Sequence, residues 1–204
     1  MSIQRRLATS AVLRVTMTVM LALSGLILVG MPAADTTPYS GKAVMCFVDA
    51  TNLHEEPVEP GKGKFIRTGL VFVWRLESFD NSLMNGWEYT YDNFLLNKQE
   101  KGTVSGHLLM HPDIMYDEIE GDYYGRFVEN EYSFRTNKAP AGTYTGEGGL
   151  AGVTATYEGT RGGEPESCPE SDLPPALCED GTLPNCLPVG QGGVILMNGL
   201  IEGY

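Results

Sequence analysis

Between Phe65 and Phe79 apolar and polar positions alternate: Ile66, Leu70, Phe72, Trp74 and Leu76 fall on one face, while Arg67, Arg75 and Glu77 fall on the other. A period of two over that length predicts a long, half-buried strand. Asp80–Asn85 has turn composition, and Gly86–Asn97 resumes the alternation with Trp87, Tyr89 and Tyr91 on one side and Glu88, Thr90 and Asp92 on the other. Ala43–Val48 reads as a first strand and Thr103–Met110 as another. Tyr123–Thr136 is rich in aromatic and β-branched residues, Thr143–Gly159 is threaded with Gly and Thr, and Val194–Ile201 reads as the last strand. The stretches between them, His54–Lys64, Pro112–Asp122 and Lys138–Gly142, are rich in breakers or charge and predict loops and turns. Nothing after residue 34 shows a capped helical period, so the spacing points to a β-sandwich or a barrel. A barrel is the expectation, because an open sheet with aromatics on both faces would leave adhesive edges. Glycines inside strands supply the bulges and bends that closure needs. The predicted fold is all-β, an antiparallel closed barrel of about eight strands over residues 35–160. A Pro-, Gly-, Glu- and Cys-rich segment (161–193) follows as an extension, and residues 194–204 hold the final strand and C-terminus.

The first 34 residues are of another kind. Arg5, Arg6 and Arg14 precede an apolar run from Val15 to Val29, followed by small residues from Gly30 to Ala34. That order is the layout of a secretory signal peptide. The run is shorter than the roughly 20 residues a helix needs to cross hydrocarbon. Cleavage is expected, with an uncleaved membrane anchor as the alternative, and the location is extracellular or periplasmic.

Charge narrows the partners. The chain carries 14 Lys and Arg against 26 Asp and Glu, and three of the basic residues lie in the leader, which leaves 11 against 26 and a net charge near −15. Such a surface repels nucleic acid, whose binding depends on Lys and Arg neutralising phosphates. No nucleic-acid partner is expected, and membrane contact is expected only through an uncleaved N-terminal segment.

Cys46, Cys168, Cys178 and Cys186 are an even set in an exported chain, which predicts two disulfides. The favoured pairing has one bridge inside the Cys168–Cys186 segment and a second tying that segment to Cys46, since the segment has too few apolar residues to pack alone. No C-x-x-C or nearby His pair suggests structural zinc.

The segment Gly121-Asp-Tyr-Tyr-Gly-Arg-Phe, with Gly142-Thr-Tyr-Thr-Gly-Glu-Gly-Gly-Leu-Ala-Gly-Val-Thr-Ala-Thr-Tyr-Glu-Gly-Thr160, resembles the late strands of the allene oxide cyclase and dirigent superfamily of small barrels. The likeness runs from about Phe65 to Thr160. It implies an eight-stranded barrel with a central cavity, assembled into dimers or trimers. It places no catalytic residue on this chain, and the Cys-rich tail lies outside its pattern.

Several residues are candidates for chemistry. Trp74, Trp87, Tyr89 and Tyr91, with His107, offer apolar and aromatic walls for a small apolar ligand, and serve equally as barrel core. Arg75 and Glu77 sit on the face opposite Trp74, so only one of these sets can face the interior. His107 and His111 lie about 13 Å apart on an extended strand, too far to share an ion without a bend. Asp113, Asp117, Glu118, Glu120 and Asp122 place five carboxylates in ten residues, a loop that a calcium ion could use but that equally reads as solvated surface. No metal or cofactor is expected. No nucleophile elbow, zinc-protease helix, phosphate-binding loop or dinucleotide fingerprint occurs. The expected function is a non-catalytic barrel that binds a small apolar ligand or another protein. The alternatives are a barrel isomerase or cyclase acting on a lipid or phenolic intermediate, and a structural subunit whose stretch Val194–Leu200 pairs with a neighbour's edge in a homo-oligomer.

Overall fold

A computed structural model describes residues 35–58, 62–162, 164–168 and 187–204. The N-terminal leader, Cys178 and Cys186 lie outside the described residues. Eight strands form the wall: β1 (Thr36–Asp49), β2 (Lys64–Ser78), β3 (Gly86–Asn97), β4 (Gly102–Pro112), β5 (Gly125–Arg135), β6 (Ala141–Gly148), β7 (Thr154–Arg161) and β8 (Val194–Glu202). Every neighbour along the chain is an antiparallel neighbour in space, and β1 pairs with β8 through Thr36–Val44 and with β2 through Gly41–Asp49. The sheet therefore closes into an up-and-down barrel, the arrangement that removes free edges altogether. The final strand belongs to the barrel, so the domain comprises residues 36–161 and 194–202 and the Cys-rich segment is an insertion in it. Because β8 is paired on both sides, Val194–Leu200 has no edge to offer a neighbour. That removes the structural basis for the edge-pairing subunit.

Closure is helped by register shifts at Met45/Phe47, Arg67/Leu70 and Gly106/Leu108. At the second of these Gly69 takes φ 77°, where a Cβ would lie 2.0 Å from the Asn52 carbonyl oxygen, so only glycine fits.

The two ends differ. At one end the short 3₁₀ turns Ser82–Met84 and Asp113–Met115, with Leu150 and Val153, push buried side chains across the opening, and these join the main core with Leu76, Met110 and Phe127. Asn81 caps the first turn through the Leu83 N–H, and the Asp113 N–H donates to the Asn85 carbonyl, so both turns are locked together. At the other end the connections Asn97–Lys101 and Thr136–Pro140 are short and leave the interior open. Of the eleven Lys and Arg beyond the leader, eight gather at this open end: Lys62, Lys64, Arg67, Lys98, Lys101, Arg135, Lys138 and Arg161. Glu77, Asp80, Asp113, Asp117, Glu118, Glu120 and Asp122 crowd the closed end instead.

A second small core lies on the outer wall, where Cys46, Phe47, Val73, Trp87 and Tyr89 are buried with Cys168 against them. Cys46 and Cys168 form a disulfide, which agrees with the favoured tie between the extension and the first strand. Lys42 adds an ion pair to Glu166 beside it.

Candidate functional site

The lumen of the barrel is the candidate site, and the register of β2 and β3 decides what lines it. Side chains of directly opposed residues share a face. Trp74 opposes Glu88, Phe72 opposes Thr90, and Trp87 opposes Arg75. With Trp74 and Leu76 inside, Glu88, Thr90 and Asp92 must also be inside. Trp87, Tyr89 and Tyr91 must be outside.

Trp74 is thus the one member of the predicted ligand-binding set that lines the interior. Trp87 and Tyr89 belong to the outer core, where Arg75 stacks over the Trp87 ring at 5.3 Å. Tyr91 stacks flat on His107, ring centroids 4.4 Å apart. His111 packs against Tyr89 and Tyr123, and burial lowers its pKa to about 4. Arg75 faces out and makes a two-pronged contact with Asp113, 2.8 and 2.6 Å. Asp113, proposed from sequence for calcium, is therefore committed to a guanidinium. Asp117 accepts the N–H groups of Ile119 and Glu120, and Asp122 accepts that of Tyr123, as turn residues do. Among the described residues no three His, Cys, Asp or Glu side chains come together as a metal site.

The lumen has three zones. At the rim, Arg67, Lys101, Arg161, Glu100, Phe94 and Thr136 border an open depression. Arg67 is paired with Glu55 at 2.9 Å and with Glu100 at 3.8 Å, whereas Lys101 and Arg161 have no carboxylate within ion-pair distance among the described residues. Below it is a throat of about 210 Å³ walled by Phe72, Trp74, Phe94, Val104, Phe134 and Ile195, with Arg161 on its lining toward the rim and Asp92 toward the floor. The throat narrows into a floor chamber of about 70 Å³ bordered by Trp74, Glu88, Thr90, Asp92, Tyr132, Tyr144 and Tyr157. Trp74, Asp92, Phe134, Pro140 and Ile195 border both, so throat and floor are continuous. From Phe94 to Glu88 the chain climbs six residues, ~20 Å along a strand, or ~15 Å along the axis of a barrel whose strands tilt by about 40°.

The floor is a set of tyrosine–carboxylate pairs. The Tyr144 hydroxyl donates to Glu88 Oε2 at 2.6 Å, the Tyr132 hydroxyl donates to Asp92 Oδ1, and the Tyr157 hydroxyl donates to Glu129 Oε2 at 2.9 Å. Tyr39 donates to the Thr156 carbonyl at 3.0 Å, and Trp74 Nε1 donates to the Thr90 hydroxyl at 3.2 Å. Glu88 and Asp92 are each only 8% exposed. Desolvation, tempered by the Tyr144 hydrogen bond and reinforced by the Glu129 charge, raises the Glu88 pKa to about 7. Burial, then the charge of Glu88, raises that of Asp92 to about 7 as well. Burial also raises the Glu129 pKa and holds the Tyr144 and Tyr157 hydroxyls far above their ordinary range. No Lys, Arg or His borders the floor.

Glu129 has a second task. β5 and β6 are joined by backbone pairing only from Gly125 to Val128, opposite Gly148 to Thr145, and beyond that the hairpin splays. The Glu129 carboxylate fills the split, accepting the Thr143 N–H at 3.4 Å and lying against Gly142. The bulge that follows shifts the inward-facing positions from odd to even numbers, which brings Tyr132 and Phe134 into the lumen beside Phe127.

The carboxylates Glu88, Asp92 and Glu129 and the tyrosines that bind them were not singled out by sequence reasoning. The alternation that placed Glu88, Thr90 and Asp92 on one face was legible, but it reads as an ordinary solvated face. No protein-family model, curated protein or solved structure matches the chain.

Proposed function

We propose that this protein is a binding barrel, which takes a small, largely apolar ligand through its basic-rimmed open end into the aromatic lumen. The observation that carries this reading is the continuity of throat and floor: one end is plugged by packed side chains, the other leads through aromatic walls to a polar base. Small-molecule sites have this form, apolar walls with a few oriented polar groups. Export to an oxidising compartment belongs to the same proposal and is supported by the Cys46–Cys168 bridge. Native mass spectrometry of the protein purified from its source is the test. The expected result is a low-mass adduct released on denaturation, whose re-addition raises the melting temperature. No adduct, together with no shift from any of a panel of small aromatic and aliphatic compounds, defeats the reading.

A second reading is a lumen isomerase or cyclase, the activity implied by the resemblance to allene oxide cyclases and dirigent proteins. One observation favours it: Glu88 and Asp92 titrate near neutrality, where a proton-transferring group is most effective. Recovery of the bound compound chemically altered after incubation separates this enzyme from the binder.

A further inference from the structure

Accepting the lumen as a ligand site, we infer that its ligand is an organic ammonium ion, with the cationic nitrogen at the floor against Glu88 and the apolar body extending past Asp92 into the aromatic throat. The argument begins with donors and acceptors. Every tyrosine hydroxyl bordering the floor already gives its proton to a carboxylate, and the Trp74 N–H is given to Thr90. Of the side-chain donors there, only the Thr90 hydroxyl proton is left. One oxygen of Glu88 and one of Asp92 have no donor among the described residues, though both side chains are more than nine-tenths buried. The floor is rich in acceptors and poor in donors, so a complementary ligand must bring donors. An ammonium group brings up to three and no acceptor.

Charge leads to the same ligand. Buried carboxylates are stable when paired, and here β1 contributes Tyr39, β5 contributes Tyr132 and Glu129, β6 contributes Tyr144 and β7 contributes Tyr157, with no cation among them. The counter-ion has to come from outside. An inorganic cation does not fit, because no three carboxylates converge among the described residues. The rings of Trp74, Phe134 and Tyr132 offer faces that attract an organic cation. Arg161, which borders the throat as well as the rim, does not take this role: it is absent from the floor lining and from the charges that act on Glu88 and Asp92, and Glu88 lies ~15 Å below the rim, while charges in water are screened over about 8 Å at physiological ionic strength.

The test is calorimetric titration, at pH 8, with three probes of one shape: 2-phenylethylammonium, neutral propylbenzene and anionic 3-phenylpropionate. The ammonium ion is expected to bind at least tenfold tighter than the hydrocarbon. Glu88→Gln is expected to bring the ammonium-to-hydrocarbon affinity ratio down to within about threefold, and Asp92→Asn to lower it less. Equal affinity for ammonium ion and hydrocarbon, or tighter binding of the carboxylate, overturns the inference and leaves the binding lumen standing. Failure of all three probes overturns the inference, and the binding lumen falls with it only where native mass spectrometry finds no adduct.

Discussion

Replacing Glu88 by Gln should make the protein more stable, and only above a certain pH. The pKa of the Glu88 carboxyl is about 7 in the folded barrel against 4.5 for an ordinary glutamate. Below about pH 4.5 the proton is held in both folded and unfolded chains, and folding is indifferent to it. As pH rises from 4.5 to 7 the unfolded chain releases the proton and the folded chain keeps it, so stability falls. Above 7 the full cost is in place, about 3 kcal/mol for a shift of that size. Gln keeps the shape and a carbonyl oxygen for the Tyr144 hydroxyl but cannot ionise, so it escapes most of this cost. For a domain of this size 1 kcal/mol corresponds to roughly 2–4 °C in melting temperature, so Glu88→Gln should melt about 4–10 °C higher than wild type at pH 8. At pH 4 the two should melt together. Thermal unfolding followed by circular dichroism at pH 4, 6 and 8 decides the matter. A variant less stable at pH 8, or a difference that does not change with pH, refutes the account of a desolvated carboxylate without a counter-ion.

Other perturbations follow from the same structure. Tyr144→Phe deletes the donor that favours ionised Glu88, and should destabilise by ~2 kcal/mol at pH 8 but by less at pH 5, read from the same melts. Replacing Cys46 and Cys168 together by Ser opens a loop spanning 122 residues, worth about 5 kcal/mol in the chain-entropy model, and should cause a large fall in denaturant midpoint. Non-reducing peptide mapping should recover the Cys46–Cys168 pair. Gly199→Ala would set a Cβ 1.8 Å from the Thr156 carbonyl oxygen and 2.5 Å from the Tyr39 ring, so a loss of about 1–3 kcal/mol is expected in urea unfolding. Arg75→Ala breaks a two-pronged contact with the half-exposed Asp113 and strips the cation from Trp87, costing about 1–2 kcal/mol. A double-mutant cycle with Asp113→Ala should show the two changes to be non-additive.

The architecture was readable because alternation is a strong local signal. Phe65–Phe79 and Gly86–Asn97 announced their two faces, and the need to hide edges chose the barrel. What alternation could not say is which face of β3 turns inward. That depends on pairing, and pairing depends on the turn between Ser78 and Gly86: opposing Leu76 to Gly86 puts Trp74 across from Glu88, whereas a slip by one residue would have brought Trp87 inside. Trp87, Tyr89 and Tyr91 looked like lumen walls because they are aromatic, yet they face outward, Trp87 and Tyr89 buried and Tyr91 partly so, in the cluster that Cys168 packs against. Glu129 was illegible for a different reason. Its position between β5 and β6 follows from a bulge and an unzipped hairpin, which are three-dimensional events with no compositional mark. Net charge is likewise silent about distribution: a chain of net −12 gathers eight of its cations at one end, because they are spread along the sequence and meet only when the loops there assemble.

The splayed hairpin has one more consequence. Elsewhere along the wall adjoining strands share a ladder of amide–carbonyl bonds, but between Glu129–Arg135 and Ala141–Tyr144 the Glu129 carboxylate takes its place, bonded to Thr143 on β6 and, one strand further, to Tyr157 on β7. The hairpin tip is held instead by its outer neighbours, the Thr136 N–H donating to the Gly102 carbonyl and the Gly159 N–H to the Pro140 carbonyl. Glu129 thus stands in for a missing stretch of ladder, one carboxylate reaching two successive strands of the wall.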